Sequence, residues 1–265
     1  MLIVDHPSPN FNARRNRVLP DMIVLHHTVL DLPESLRRLC DPVIEVSAHF
    51  VIAADGAIFR LVPEQMRAWH AGAGRWGAVA EVNSRSVGIE IVNRGDHPYA
   101  AAQMRALEGL LPGIMVRWRV PPERVIAHSD MAPRRKIDPG KRFDWRRLAL
   151  AGLAVWPFLG AGAGTGAGGG TGAGAGPAPA APGGTGLRAG PARQATPARV
   201  APDMGAFRAA LSTIGYDPDI DDDLGLSAFR LRFRPWGAGA LAAGDIAAAQ
   251  DIAARFPVDQ PQSGA

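Results

Sequence analysis

Short apolar runs alternate with amphipathic stretches over the first 158 residues. Strands are predicted at Met22–Leu25, Ser47–Ile52, Ala57–Val62, Ser86–Val92 and Arg124–Ala127. The sequence Ala54-Asp55-Gly56 predicts the turn of a hairpin between the second and third of these strands. Helices are predicted at Pro33–Leu39 and at Ala101–Trp118, where apolar residues fall near helical spacing despite Pro112. Strands interleaved with helices indicate an α/β fold, a mixed central β-sheet flanked by helices.

The second half of the chain has a different pattern. Residues 159–200 consist mostly of Gly, Ala, Pro and Thr, which bury too little apolar surface to offset the entropy of ordering. We therefore expect a flexible linker at 159–200, between a domain at 1–158 and a smaller domain at 201–258, and a disordered tail at 259–265. In the smaller domain, three helices are predicted within Phe207–Tyr216, Ser227–Trp236 and Asp245–Phe256.

Charge and composition limit the kinds of partner that the protein is expected to bind. The net charge is +4, and arginine supplies all the cationic side chains except Lys136 and Lys141. This balance suits an acidic partner, but no base-reading motif or aromatic-interleaved basic run accompanies it, so no nucleic-acid partner is expected. Arg230, Arg232 and Arg234 alternate with apolar residues, and they are predicted either to face an acidic ligand or to form a solvated helix face.

Export signals are not visible in the sequence. The first ten residues have no charged region followed by an apolar one, and no apolar run is long enough to span a bilayer. The expectation is a cytoplasmic protein, or a periplasmic or wall-associated one if an upstream start or another export route exists. The single cysteine, Cys40, excludes an intramolecular disulfide.

Candidate metal ligands follow predicted strands. His26 ends the first strand, His128 follows the last, and Asp138 lies in the loop beyond it, so all three are expected at one edge of the sheet. Two imidazoles and a carboxylate are typical of a catalytic zinc site that leaves a fourth position for water. Because successive strand residues point to opposite faces, only one of His26 and His27 is expected to bind, and the spacing leaves that choice open.

Two further residues carry candidate chemistry. Glu90 lies in the middle of the apolar strand Ser86–Val92, where burial raises the pKa of a carboxyl toward the range useful to a general base. A buried Glu paired with an arginine would give the same pattern. Lys136 lies between His128 and Asp138 in a proline-punctuated loop, where an ammonium can stabilise negative charge that develops nearby. A solvated turn is the alternative for this loop.

The first 150 residues resemble the zinc-dependent N-acetylmuramoyl-L-alanine amidase family of type 2, whose fold is shared with peptidoglycan recognition proteins. The matching segments occur in the family's order: Val24-Leu-His-His-Thr28, Ser47-Ala-His-Phe50, Val62-Pro-Glu, Ala68-Trp-His-Ala-Gly72, Ser86-Val-Gly-Ile-Glu90, Ala127-His through Asp138-Pro-Gly, and Phe143-Asp-Trp145. Residues 201–258 resemble, less specifically, a three-helix peptidoglycan-binding domain. An uncommitted helical interaction module is the alternative there.

The resemblance implies the roles of individual residues. It implies one Zn²⁺ per chain held by His26, His128 and Asp138, with Glu90 as general base and Lys136 stabilising the oxyanion. Four residues are expected to bind substrate in the groove: Trp69, His70, Asn83 and His27. Trp69 would look the same in a core, and His49 is expected either beneath the site or in the core.

The implied reaction is hydrolysis of the amide between the lactyl group of N-acetylmuramic acid and L-alanine. The partner would be peptidoglycan or a muropeptide, and the oligomeric state is not predicted. A non-catalytic peptidoglycan sensor is the alternative, since relatives of this fold bind without cutting, but such relatives usually lack a ligand or the base. A zinc phosphoesterase would need more ligands, for a two-metal site. The family often has Arg where this chain has Glu81, which puts in doubt a salt bridge to the stem peptide at that position.

Overall fold

The computed structural model describes residues 3–158 and 202–258. The predicted linker and the predicted tail lie outside these residues. The strands are Ile3–Asp5 (β1), Phe11–Ala13 (β2), Met22–His27 (β3), Phe50–Ile52 (β4), Ile58–Arg60 (β5), Met66–Ala68 (β6), Ser86–Ile91 (β7) and Val125–Ala127 (β8). The α-helices are Leu32–Cys40 (α1), Val82–Arg85 (α2), Ala101–Trp118 (α3), His128–Met131 (α4), Trp145–Leu150 (α5), Met204–Ile214 (α6), Asp222–Phe233 (α7) and Ala243–Arg255 (α8).

Six strands form one mixed sheet in the order β1-β5-β4-β7-β3-β8, while β2 and β6 form a separate antiparallel pair. Within the large sheet only β4 and β5 pair antiparallel, as the predicted hairpin requires. The three strands β7, β3 and β8 are mutually parallel. Their carboxyl ends therefore meet at one edge of the sheet, which is where ligand sites of such sheets lie.

Successive side chains of the central strands point alternately into two hydrophobic cores, one on each face of the sheet. Ile23 and Leu25 of β3 face a core that includes the apolar residues of α3, whereas Met22 and Val24 face a second core on the other side of the sheet. His26 continues the second series, so it points to the face opposite α3. The helix α3 extends over the whole predicted range and continues through Pro112.

The predicted α/β class, with a central sheet flanked by helices and further helices at the C-terminal end, is confirmed. The predicted strands and helices of the first part are all present, some shorter than expected. The pattern missed the strands β1, β2 and β6, each of three residues. Within the described ranges, no helix has both the length and the apolar character needed to cross a membrane.

Aspartate side chains cap the starts of two C-terminal helices. Asp203 caps α6 by accepting a hydrogen bond from the Ala206 N–H, and Asp221 caps α7 through the N–H groups of Asp223 and Leu224. Part of the acidic segment before α7 therefore serves as a helix start. The segment predicted to begin at Ser227 instead begins at Asp222, one turn and more earlier.

The C-terminal helices pack against the sheet, not apart from it. Phe207, Phe229 and Phe233 share one buried core with Met22 and Val24 of the central strand. The C-terminal end of α6 approaches Trp76 so closely that a Cβ on Gly215 would lie 2.7 Å from the indole. Gly215, at φ +123°, satisfies both this contact and the turn after the helix.

Arg230, Arg232 and Arg234 do not have either of the predicted roles. Arg232 is 1% exposed and pairs with the buried Asp130 of α4. Arg230 and Arg234 are mostly buried and both pair with the buried Asp245 at the start of α8. The prediction of an acidic ligand or a solvated face was wrong because each guanidinium has an internal carboxylate partner.

Candidate active site

Three predicted ligands converge at the carboxyl edge of the sheet. His26 Nδ1, His128 Nδ1 and Asp138 Oδ2 form a triangle with edges of 2.8, 3.0 and 3.1 Å. The three side chains belong to residues that are 1%, 2% and 7% exposed. Together they make a group that could hold a metal ion. The parallel pairing of β3 with β8 explains the convergence, because His26 ends one strand and His128 follows the other.

Hydrogen bonds fix which nitrogen of His26 is free. Ser86 Oγ donates its one hydrogen to the Val82 carbonyl at 2.6 Å, so it can only accept from His70 Nε2 at 3.2 Å. His70 Nδ1 then accepts from His26 Nε2, 3.0 Å away. The lone pair of His26 is therefore on Nδ1, the atom that faces His128 and Asp138.

His128 is oriented in the same sense. Its Nε2–H donates to the Ala71 carbonyl at 2.9 Å, which leaves the lone pair on Nδ1. Burial, then the nearby His128, lowers the pKa of His26 to about 4, so this imidazole is neutral near pH 7. Burial opposes ionisation of Asp138, but contacts with His128 and His26 hold the pKa of its carboxyl well below the usual range.

This donor set fits a divalent cation. Three electron-pair donors lie about 3 Å apart with no hydrogen between them, an arrangement that repels unless positive charge joins it. Zinc with bonds of about 2.0–2.1 Å in a tetrahedral site has neighbouring ligands about 3.3 Å apart, close to the observed edges. Two neutral imidazoles and one carboxylate are also ligands that zinc accepts.

Glu90 lies beside the triangle on the same face of the sheet. It is in register with His26 across the parallel pair β3 and β7. Its Oε2 is buried and has no hydrogen-bond partner among the described residues. Burial, then the negative charge of Asp138, raises the pKa of Glu90 to about 8. The alternative of a carboxylate paired with an arginine does not fit this environment.

A cavity of about 560 Å³ opens above these groups. Its lining combines the triangle and Glu90 with the cations Arg38, Arg94, Arg135 and Lys136. Lys136 lines the same cavity as Glu90, and its positive charge opposes the rise in the pKa of that carboxyl. A second cavity, of about 570 Å³, shares Trp69, His70, His128, Arg135 and Lys136 with the first, so the two form one groove.

The predicted groove residues lie around this cavity but differ in what they contact. Trp69 lines both arms of the groove, and its indole N–H donates to Asn12 Oδ1 at 3.3 Å. His27 lies at the rim, with Nδ1 3.3 Å from the Asn93 carbonyl. His70 lines the groove as well, while its ring holds His26.

Asn83 has a supporting contact. Its Oδ1 accepts hydrogen bonds from the backbone N–H groups of His70 and Ala71, at 3.0 and 2.8 Å. The side chain is 6% exposed and also lines the second arm of the groove. It thus fixes the segment that carries His70 and the carbonyl bonded to His128, and its contact with a substrate stays a prediction.

Glu81, where the resembling family often has Arg, is engaged internally. Its Oε1 accepts from Arg67 Nε at 3.0 Å, and its Oε2 accepts from the Ser84 N–H at 2.8 Å. His49 is buried beneath the site, where its Nδ1 accepts from the Gly88 N–H at 2.9 Å. His49 therefore lies beneath the site and is also fully enclosed by the core.

Residues that support the ligands were not all found from the sequence. Ser86 sets the tautomer of His70, and Gly88 makes room for it, because a Cβ there would lie 2.4 Å from the ring. Tyr99 donates to the Pro139 carbonyl at 2.8 Å, next to Asp138. The signal was present in β7, where small or polar residues alternate with Val87, Ile89 and Ile91.

Comparison with known proteins identifies the family of the chain. The sequence profile of the family N-acetylmuramoyl-L-alanine amidase matches residues 14–141. AmiD of Escherichia coli strain K12, an N-acetylmuramoyl-L-alanine amidase, is 40% identical over 152 residues, which are 51% of this chain and 54% of AmiD. The alignment therefore spans about half of that relative. AmpD of Haemophilus influenzae, a 1,6-anhydro-N-acetylmuramyl-L-alanine amidase, is 31% identical over 53% of this chain and 86% of AmpD.

Two solved structures resemble nearly the whole chain. AmiD from E. coli, in complex with anhydro-N-acetylmuramic acid-L-Ala-D-γ-Glu-L-Lys, has a TM-score of 0.71 at 30% identity and covers 92% of this chain and 93% of its own. AmpDh3 from Pseudomonas aeruginosa has a TM-score of 0.69 at 27% identity and covers 97% of this chain and 99% of its own. The chain belongs to the N-acetylmuramoyl-L-alanine amidase family. The family resemblance identified in the sequence is therefore confirmed.

Proposed function

We propose that the protein is a zinc hydrolase that cleaves the amide between the lactyl group of N-acetylmuramic acid and L-alanine. One observation carries the proposal: two imidazole nitrogens and a carboxylate oxygen converge within 3.1 Å, and Glu90 lines the same cavity with its Oε2 buried and without a hydrogen-bond partner among the described residues. His26, His128 and Asp138 would hold the ion. When bound, zinc supplies Lewis acidity that polarises a carbonyl and makes water more acidic.

The side chains of the site have distinct tasks in this proposal. Glu90 accepts a proton from the attacking water on its Oε2 and passes it to the departing amine of L-alanine. Its raised pKa suits both steps, because a carboxyl that ionises near neutral pH can accept a proton and release it. Lys136 stabilises the negative charge that develops on the carbonyl oxygen as water adds.

The groove supports a muropeptide as substrate. A stem peptide carries carboxylates, and Arg38, Arg94 and Arg135 line the same cavity as the proposed ligands. Trp69 offers an aromatic face between the two arms of the groove, where a sugar ring or peptide can stack. We propose that Trp69, His70, His27 and Asn83 border the bound substrate.

Relatives in complex with anhydromuropeptides support the same substrate class. The solved AmiD complex contains an anhydromuramoyl peptide, and AmpDh3 has been solved with an anhydromuramic pentapeptide. We propose an anhydromuropeptide as the first substrate to test. The peptidoglycan-binding role of the C-terminal helices and the cytoplasmic location stay predictions.

The test is digestion of a purified anhydromuropeptide and of the matching reducing muropeptide by the zinc-loaded full chain. Mass spectrometry identifies the products. Release of the intact stem peptide with a free L-alanine amine from either substrate is the expected result. Binding of the muropeptide without any cleavage would instead favour the non-catalytic sensor.

A further inference from the structure

Asp130 joins the C-terminal helices to the metal-ligand turn. Its carboxylate is fully buried. One oxygen has a partner in the segment between α6 and α7, and the other has a partner in α7. Oδ1 accepts a hydrogen bond from the Tyr216 hydroxyl at 2.7 Å, and Oδ2 accepts from Arg232 Nη1 at 2.7 Å. Among the described residues, Arg232 is the cation that pairs with this carboxylate.

The same carboxylate holds the turn that begins with a ligand. Asp130 Oδ2 also accepts from the Ala127 N–H at 2.8 Å, which closes the short helix α4 onto the end of β8. His128 is the first residue of that helix. In addition, the Ser129 N–H donates to the Asp138 carbonyl at 3.0 Å. The turn that Asp130 holds therefore carries one ligand and is hydrogen-bonded to the backbone of another.

Arg232 bridges the strand β8 and the short helix α4. Its Nη2 donates to the Val125 carbonyl at 2.9 Å, at the start of β8, while Nη1 pairs with Asp130. The guanidinium also lies 4.7 Å from the centre of the Trp145 ring, and it is 1% exposed. A planar group with several fixed donors can bridge two such acceptors at once, which an ammonium cannot do in the same way.

The contact is buried inside an extensive interface. Tyr216 packs edge-on against Trp76 with ring centres 5.1 Å apart, and the Gly77 N–H donates to the Gly215 carbonyl at 2.6 Å. Apolar residues of both parts surround these contacts in one core. Removing the arginine would leave the carboxylate of Asp130 buried without its cation, which is a strongly unfavourable state.

We propose that Asp130, Tyr216 and Arg232 are positioning residues of the metal site, so that the C-terminal helices are a working part of the hydrolase in addition to any binding role. They act through α4 on His128 and, through the Ser129 N–H, on Asp138. The inference rests on the metal site of the proposed function. Supporting groups outside the ligand set commonly change metal affinity by about 10–100-fold.

The test measures zinc affinity of full-length variants by competition with a chromophoric chelator, together with the visible spectrum of the Co²⁺-loaded protein. Y216F removes one hydrogen bond and keeps the ring against Trp76, and it is expected to weaken zinc binding about threefold to tenfold. R232M is expected to weaken it more than about tenfold and to shift the Co²⁺ bands. R232K should restore part of the affinity, because it returns a cation to Asp130.

R230M is the matched control. Arg230 lies on the same helix and also pairs with a buried carboxylate, that of Asp245, without touching Asp130. It should lower the stability of the C-terminal helices while leaving zinc affinity and the Co²⁺ spectrum at wild-type values. A loss of affinity in R230M equal to that in R232M would show a general effect of instability and overturn the inference.

Wild-type zinc affinity and an unchanged Co²⁺ spectrum in Y216F would overturn it as well, and this variant decides the matter if R232M fails to fold. Failure of the proposed function gives a different result. If the wild-type chain binds no zinc, both proposals fall, whereas zinc binding by the wild type with unaffected variants removes this inference alone.

Discussion

His70 Nδ1 lies 3.0 Å from His26 Nε2, and this contact joins the wall of the groove to the metal-ligand triangle. Since Ser86 orients the far nitrogen of His70, the chain Ser86–His70–His26 determines that His26 Nδ1 has its lone pair free. A residue predicted to bind substrate thus also supports a ligand. The two roles can be separated by experiment.

Replacing His70 tests its supporting role. H70L removes the acceptor for His26 Nε2–H, so His26 can take the wrong tautomer, and zinc affinity should fall about 10–100-fold. H70N can still accept through its amide oxygen and should retain much of the affinity. Chelator competition measures both. Equal affinity of H70L and the wild type would show that the contact does not orient His26.

Replacing Glu90 tests the general base. E90Q keeps the size of the side chain but cannot accept the proton of water, so kcat should fall by about 10²–10⁴-fold. Zinc content, measured by elemental analysis, should stay the same as in the wild type because Glu90 is not one of the three ligands. Retained turnover in E90Q would remove the role assigned to this residue.

The buried carboxyl of Glu90 also predicts a pH dependence of stability in the metal-free protein. Its pKa is about 8 in the fold against an ordinary value of 4.5, so the folded state holds the proton more tightly than the unfolded state. Stability is therefore greatest below about pH 4.5 as far as this group is concerned, and its contribution is lost as the pH rises toward about 8.

Denaturant unfolding of EDTA-treated wild type and E90Q checks this sign. Glutamine does not titrate, so the free energy of unfolding of E90Q should rise relative to that of the wild type between about pH 4.5 and about 8. The difference should change by about 2 kcal/mol over this range after allowance for solvent screening. A difference that stays flat across the window would mean that Glu90 ionises normally in the fold.

The two lysines form a natural pair for testing the oxyanion role. K136M should lower kcat by about 10²–10³-fold, because a cation aimed at developing negative charge is lost, with little change in zinc content. Lys141 is exposed and lies a few residues further on, so K141M should behave as the wild type. Steady-state kinetics on an anhydromuropeptide measure both. Similar losses in K136M and K141M would point to a general effect of charge.

Much of the fold follows from local patterns. The strands β3 and β7 and the helices α3, α6 and α8 lie close to where apolar periodicity places them, because each buries a face long enough to show a period. The helix α7 was predicted too, but it begins earlier than expected. His26 and His128 were predicted as ligands because each stands at the end of a buried strand, and the family resemblance selected His26 over His27. Parallel pairing then brings those ends together, which a single sequence can only suggest.

The partners of buried charges could not be predicted. Arg232 and Asp130 are about 100 positions apart, and nothing in either segment indicates that the other will cover it. The alternation in β7 marked Ser86 as a polar position, but its partner could not be predicted, because the ring of His70 arrives from a loop. Such contacts are created by the tertiary fold, so the sequence indicated the candidate ligands but not what holds them.

The most direct test of the account is cleavage of an anhydromuropeptide by the chain in three states: as purified with zinc, stripped by chelator, and reconstituted with one equivalent of zinc. The account predicts rapid release of the stem peptide with a free L-alanine amine in the first state, none in the second, and recovery in the third. Equal cleavage by the stripped protein, or zinc binding that survives the loss of both His26 and His128, would contradict it.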